Sequence, residues 1–370
     1  MALQYRSADW IYVSGFLKES TFDTAETVEA ASGFQLNEHE ASISYDHTRR
    51  DGVGEGTELG FEGYVSRKAY GFTLTFPFLR PNDMAFMAAF GLGTSTGVQD
   101  GATQAYRHHS DLATDDDQIP FSIVFKEAGV QKLMTGCTIS SFTITQSGEY
   151  WSGSCEGIGT RVASNADSVV AEIAEEPFTI GNAKFFTETG ANVDITATAS
   201  ISQTDENISS ATPDNITGQL SNFSFTVNNN PRVEAGFLAT NSSDALCRGQ
   251  AQRGATREVT AEWTQTFEAD TDLTTFEGTN NKQEHMALEV VQYESARGVI
   301  AGGGAMYYGF NIIIPRGNLD VIGSSADDDG VVTRNLKLIA KTPTNADEGA
   351  GSASKPVMVH VYTAQTAYMG

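Results

Sequence analysis

His108 and His109, followed at once by Ser110 and Asp111, bring together the side-chain types of a metal site or a hydrolytic relay. The six histidines are otherwise scattered, and no partner imidazole stands at the helical spacing that would build a two-histidine site. The expectation is a solvated loop, YRHHSDLATDDDQ. Asp115-Asp116-Asp117 and Asp327-Asp328-Asp329-Gly330 look superficially like calcium loops. Neither has the alternating acidic spacing and distal glutamate that wrap a cation, so solvated turns are expected. Ala301-Gly302-Gly303-Gly304-Ala305 lacks the G-K-[ST] ending and following helix of a phosphate cradle, and reads as a connection between strands. Cys137, Cys155 and Cys247 are an odd number at unrelated spacings, which is neither a disulfide framework nor a zinc pattern. Buried reduced thiols are expected. A Cys137–Cys155 bridge across a hairpin stays open. No GxSxG, HExxH or CxxC occurs. The chain therefore reads as a non-enzyme, with no catalytic residue, metal ligand or cofactor site expected.

The chemistry that remains is electrostatic. The 370 residues carry a formal charge of −24, spread over both halves of the chain. Binding of nucleic acid is driven by Lys and Arg displacing counterions from phosphate, so an acidic surface cannot grip it. Such a surface can let nucleic acid slide past, or merely keep a protein soluble. At 40% apolar and 10% aromatic residues the chain can bury a core in each half. The first twenty residues include Asp9 and no uninterrupted apolar run, so no export signal is expected. No stretch approaches the roughly 20 apolar residues of a membrane helix.

Period-2 patterns dominate and predict a mainly β protein. Ile43 and Tyr45 alternate with Ser42 and Ser44. Phe72, Leu74, Phe76 and Phe78 alternate with Thr73 and Thr75, and Pro77 marks an edge or a strand end. Between them DGVGEGTELGFEG reads as a long loop. RPNDMAFMAAFGLG predicts a short helix over 82–90, capped by Asn82 or Asp83 and stopped by Gly91. PFSIVF, CTISSFTIT and EYWSGSCEGIG predict three further strands.

The same order then recurs. Phe223, Phe225 and Val227 alternate with Ser224 and Thr226 up to the turn Asn228-Asn229-Asn230-Pro231. A long loop through SSDALCRGQ leads to Val259, Ala261 and Trp263, alternating with Thr260, Glu262 and Thr264. DTDLTTFEG predicts a second short helix over 270–277, closed by Gly278. HMALEVVQYE, MYYGFNIII and TRNLKLIAK complete the set, and VMVHVYTA adds a last strand. Ile43, Phe72, Gly91 and Phe142 match Phe225, Val259, Gly278 and Phe310. Repetition of this kind governs the fold. It predicts two tandem units, 1–178 and 179–370, with the boundary in the linker near 165–180.

In these phrases, GFTLTFPFLRPNDMAFMAAFGLG with TGCTISSFTIT in the first half and FSFTVNNN with TREVTAEWTQTF in the second, the chain resembles the tail tube proteins of long-tailed bacteriophages. The resemblance covers nearly the whole chain. It implies two tandem β-sandwich or half-barrel tube domains, each with one short flanking α-helix and a long loop. Most members form hexameric rings from one domain per chain, and a two-domain chain implies trimeric rings of pseudo-sixfold symmetry stacked into a conduit for double-stranded DNA. The implied partners are copies of the chain itself and other tail proteins (tape measure, terminator and distal tail protein), with no membrane. The implied location is the virion, after assembly in the host cytoplasm. Ser42, Ser44, Thr73, Thr75, Ser224, Thr226, Thr260, Glu262 and Thr264 become candidates for the lumen. Asp51, Glu55, Glu58, Glu62, Arg232, Glu234 and Asp244 become candidates for loops between rings. Another tail part of the same fold (a terminator or baseplate hub), or a surface β-sandwich binding module, is the alternative reading.

Overall fold

The computed structural model describes residues 11–24, 32–33, 40–52, 61–100, 104–113, 118–127, 130–164, 174–189, 194–195, 208–209, 214–231, 254–266, 282–300, 306–326, 332–342 and 355–365. Strands dominate these residues, and every strand pairing among them is antiparallel. The first half contains β1 (Ile11–Lys18), β2 (Ser32–Gly33), β3 (Glu40–Gly52), β4 (Phe61–Phe76), α1 (Pro81–Leu92), β5 (Thr96–Gln99), β6 (Tyr106–Asp111), β7 (Phe121–Glu127), β8 (Val130–Ser147), β9 (Tyr150–Gly159) and β10 (Arg161–Ser164). The second contains β11 (Ala183–Thr189), β12 (Asp194–Ile195), β13 (Ile208–Ser209), β14 (Asp214–Asn215), β15 (Leu220–Asn228), β16 (Glu258–Thr266), β17 (Lys282–Tyr293), β18 (Gly309–Ala326), β19 (Val332–Ala340) and β20 (Met358–Thr363).

The pairings repeat strand for strand. In the first half β3 pairs β4, β4 pairs β9 and β9 pairs β8, while β2, β1, β7, β8 and β10 form a second run. In the second half β15, β16, β19 and β18 follow in the same order, and β14, β11, β17, β18 and β20 repeat the second run. Register fixes the matching positions. Ile43–Phe72–Gly157–Ile139 forms one row across its sheet, and Phe225–Ala261–Leu338–Leu319 forms its counterpart. With Ile43 set against Phe225, the other matches follow from these rows. Phe72 corresponds to Ala261, two residues from Val259. Phe142 corresponds to Val321 rather than Phe310, since Cys155 faces Phe142 and Leu336 faces Val321. Phe310 lies at the start of β18, where hydrophobicity alone mimics the true partner.

Two strand pairings join the halves. β8 pairs β15, with Ile144 opposite Phe225 and Phe142 opposite Val227, and β6 pairs β20, with His109 opposite His360. One apolar cluster therefore runs from Val13 and Phe16 through α1 to Leu336 and Leu338, where the composition had predicted a core in each half. Trp151 of β9 lies fully buried among Phe223 and Phe310 from the second half, and its indole N–H donates to Gln292 Oε1 at 3.0 Å. Buried indoles need such a partner, and burial of this size stabilises by several kcal/mol, about 3–5 on truncation.

The helix departs from its sequence reading at both ends. Its N-cap is Arg80, with Pro81 in the first turn; Asp83 accepts the Arg80 N–H at 3.1 Å instead of capping from its own position. It stops at Gly93, which has φ of 96° and donates its N–H to Ala89 O at 3.0 Å. Gly91 is interior, and a Cβ there would sit 2.3 Å from Phe142 Cε1, so this glycine serves close packing on β8. Every residue of α1 is buried, which is why it shows no polar face. Its last carbonyls, orphaned in any helix, are taken by the second half: Asn229 Nδ2 donates to Gly91 O at 2.7 Å and Arg257 Nη1 to Leu92 O at 3.1 Å.

Two more expectations change. The polar segment read as a loop from Tyr106 contains the strand β6, because pairing with β20 from the far end of the chain overrides local polarity. The long loop of the first half is shorter than its sequence implies, since Arg49, Arg50 and Gly52 pair with Val65, Tyr64 and Phe61. The second helix over 270–277, Gly278, the boundary linker at 165–173, Cys247, Asp115 to Asp117, Ala301 to Ala305 and Asp327 to Gly330 lie outside the described residues.

Asn229 is fully buried and also donates to Ile139 O at 3.2 Å, so it ties helix, β8 and β15 at one point. Asn229→Ala removes the Asn229 donor from the Gly91 carbonyl, while Ile139 O keeps Gln118 at 3.1 Å, and should cost about 1–3 kcal/mol. The check is a urea titration: the midpoint should fall with an unchanged slope, and an unaltered midpoint would remove Asn229 from this role.

Candidate functional site: a polar sheet face open at both edges

Strands β3, β4, β9, β8, β15, β16, β19 and β18 follow one another edge to edge, so one continuous sheet is built from both halves. Its inner side carries Phe72, Leu74, Ile144, Phe225, Ala261 and Leu336 into the core. Period-2 alternation then obliges the other side to carry the intervening polar residues. Direct register places them in rows. Glu40, Thr75, Ser154, Thr143, Thr226 and Thr260 form one, and Ser42, Thr73, Glu156, Ser141, Asn228 and Glu258 form the next. A third runs through Ser152, Thr145, Ser224, Glu262, Lys337 and Asp320.

All nine candidate lumen residues thus share this face. Ser42 and Ser44 are exposed, Thr73, Thr75, Ser224, Thr226, Glu262 and Thr264 are half-buried, and Thr260 is buried at 8% exposure. The hydroxyls bond across strands: Thr143 Oγ1 lies 3.1 Å from Thr226 Oγ1, Thr145 Oγ1 lies 2.8 Å from Ser152 Oγ, and Thr264 donates to Asn335 at 2.9 Å. Lys337 sits 3.0 Å from Glu262, while Glu40, Glu156 and Glu258 add negative charge. Such a surface holds water and repels phosphate; it offers no row of cations to displace phosphate counterions.

Residues that sequence reasoning missed are Thr143, Thr145, Ser152, Ser154, Glu156, Asn335 and Lys337. Their signal was present in the alternation of CTISSFTIT, EYWSGSCEGIG and TRNLKLIAK. What sequence alone could not supply was that β8, β9 and β19 lie between the strands already assigned to the face.

The sheet ends in two bare edges. Among the described residues no strand pairs with the outer edge of β3, and β17 covers β18 only as far as Asp320, opposite Lys282. Large apolar side chains stand exposed near both edges: Tyr45 on β3, and Ile322 and Val332 beside the β18 edge. Unpaired edges template further pairing unless they are blocked. Beyond Tyr70, which faces Gly159, the β3–β4 hairpin also loses its third strand and runs on as a two-stranded arm. Asp51 and Glu62 lie in the strands of that arm. Glu55, Glu58, Arg232, Glu234 and Asp244 lie outside the described residues.

The histidine pair is not a solvated loop. His108 is buried, its Nε2 lies 2.8 Å from Gln365 O, and burial pushes it down to about 4. Asp111 is pulled down to about 2: burial opposes this, but hydrogen bonds from His109 and Thr94 and the nearby Lys355 outweigh it. Cys137 and Cys155 are buried free thiols. A cavity of about 810 Å³ lies where the halves connect, lined by Tyr150, Glu175, Glu294, Arg297 and Tyr308. Its acids are engaged in structure: Glu294 accepts from the Thr179 N–H at 2.6 Å, and Glu175 accepts from the Asn82 N–H at 2.7 Å. Among the described residues no group of three or more His, Cys, Asp or Glu is placed to hold a metal ion, and no helix is long and apolar enough to cross a membrane.

No protein-family model matches the chain, and no curated protein matches it.

The Thr143–Thr226 contact crosses the β8–β15 junction and is only half-buried. A double-mutant cycle with Thr143→Val and Thr226→Val should give a coupling of roughly 0.2–1 kcal/mol from denaturation midpoints. Zero coupling would show the hydroxyls bonding to water instead of each other.

Proposed function

We propose that the chain is a structural subunit that closes with copies of itself into rings, and that stacked rings form the tail tube of a long-tailed bacteriophage. In this reading residues 1–178 and 179–370 act as two tube domains, three chains complete a pseudo-sixfold ring, and the polar face lines the passage for double-stranded DNA. One observation carries the reading: the first half joins the second through β8 and β15, and the same two positions on the outside, β18 and β3, are left bare. A chain that makes one such joint internally has the complementary halves of another at its ends. Closing them into a circle removes every free edge, which is how a repeated sheet avoids open-ended aggregation. The carpet of hydroxyls and carboxylates supports passage of a polyanion without adhesion, because the lysine in its described rows, Lys337, is already paired with Glu262.

The internal joint also sets the register of the external one. Thr226 faces Thr143, which faces Ser154 on β9. By the matched rows Ser44 takes the place of Thr226 and Asn335 that of Ser154, and Asn335 faces Gly323. Ser44 of one copy is then opposite Gly323 of the next, inside the stretch of β18 that β17 leaves uncovered.

Negative-stain microscopy and light scattering of the purified chain should show rings or tubes with a central hole and a mass in multiples of three chains. Monomers at high concentration would overturn the ring. Opposed residues in an antiparallel pair have Cα atoms about 4.5–5.5 Å apart, within disulfide reach. Oxidised Ser44→Cys/Gly323→Cys protein should therefore run as covalent trimer on reducing-agent-free gels, while wild type does not. Rings without that bond would keep the function and discard the register.

A further inference from the structure

The second joint between the halves is made of groups that the ring does not use. β6 and β20 meet with His109 opposite His360 and Arg107 opposite Tyr362. The two imidazoles touch face to tilted face, their ring centroids 4.9 Å apart. His360 is completely buried, and neither of its ring nitrogens has a hydrogen-bond partner among the described residues. An unpartnered polar ring in a closed interior costs free energy even when neutral, and far more when charged.

We propose that the His109–His360 contact is an acid-sensitive clasp, whose protonation releases β6 from β20 and leaves the β8–β15 joint as a hinge between the two halves. This is independent of the ring reading, because it concerns a seam within one chain.

The surroundings decide the sign. From β6, Arg107 and His109 face the seam, with Asp111 at its end held by His109 at 3.5 Å and by Lys355 at 3.3 Å. From β18, Asn311 lies directly opposite His360 and donates instead to Glu289 of β17 at 3.3 Å. Tyr293 of β17 and Tyr362 of β20 meet edge to face, their ring centroids 5.7 Å apart. β5 brings no ionisable group, and Asp83 of α1 is engaged at its own helix start. Burial holds His360 well below the usual imidazole range, and the charges that act on it, His109 and Arg107, push the same way. Glu289 is not among the groups that offset them. Protonation therefore places like charges together in a dry seam with no free carboxylate.

Linkage follows directly. A histidine whose folded value is depressed contributes stability that is present above its unfolded value, about 6.5, and is lost as pH falls through the window below it. His108, on the facing strand β6 and pushed down to about 4 by burial, acts in the same direction and the same window. The β8–β15 joint carries only hydroxyl, amide and apolar side chains at its paired positions, so acid has no handle there.

Hydrogen exchange of the full-length chain at pH 7.5, 6.0 and 5.0, corrected for intrinsic rates, tests the clasp. Protection of 106–111 and 358–363 should fall at least tenfold between pH 7.5 and 5.0 relative to 141–145 and 224–228. In His360→Leu that fall should shrink at least threefold, the remainder being the contribution of His108. Should this variant not fold, His109→Gln serves: without the neighbouring imidazole the fall in protection between pH 7.5 and 5.0 should be smaller than in wild type. Parallel loss at both joints in wild type, no loss at either, or an unchanged profile in the variants would overturn the proposal.

Discussion

The antiparallel junction between β8 and β15 is the interaction on which the rest of the structure depends. It is made by main-chain hydrogen bonds along five facing positions, Ser141 to Thr145 against Asn228 to Ser224. Because strand side chains alternate, fixing this register fixes both faces at once: Phe142 and Ile144 must enter the core beside Val227 and Phe225, and Thr143 must meet Thr226 outside. A slip of one residue would bury the threonines and expose the aromatics. The polar face is thus not an independent feature. It is the other side of the same packing decision.

Around this junction the two halves complete each other. Trp151 of one half is enclosed by phenylalanines of the other, and the helix in the first half ends on carbonyls bonded by Asn229 and Arg257 of the second. Neither half could keep those groups satisfied alone. Repetition of a strand order has here been converted into a single cooperative interior, while the sheet that crosses it keeps two bare edges. That internal joint and those two bare ends are what the proposed ring rests on.

The second joint is chemically different. Where β8 and β15 meet through threonines and aromatics, β6 and β20 meet through imidazoles, of which His360 has no hydrogen-bond partner among the described residues. The paired positions of the first seam carry no titratable side chain, whereas the second brings two imidazoles together. His108 and His109, expected in a solvated loop, instead lie in a strand, and long-range pairing brings His360 beside His109 from the far end of the chain.

Strand alternation was legible from residues 42–45, 72–76, 223–227 and 259–264 because a half-buried strand writes its burial directly into the chain with period two. The polar side of each strand was therefore known before any coordinates, as was the repeated order. Helix existence was legible too, but its ends were not: Gly91 reads as a stop until Phe142 is seen lying against it, and Gly93 is the residue with positive φ. β6 was unreadable as a strand because its polar residues are buried only by pairing with β20. Alternation is local and needs only neighbouring residues, so the amino-acid sequence by itself determined which side chains face in and which face out. Which strands are neighbours depends on contacts across a hundred residues or more, so only the tertiary structure decided that the two polar faces form one surface.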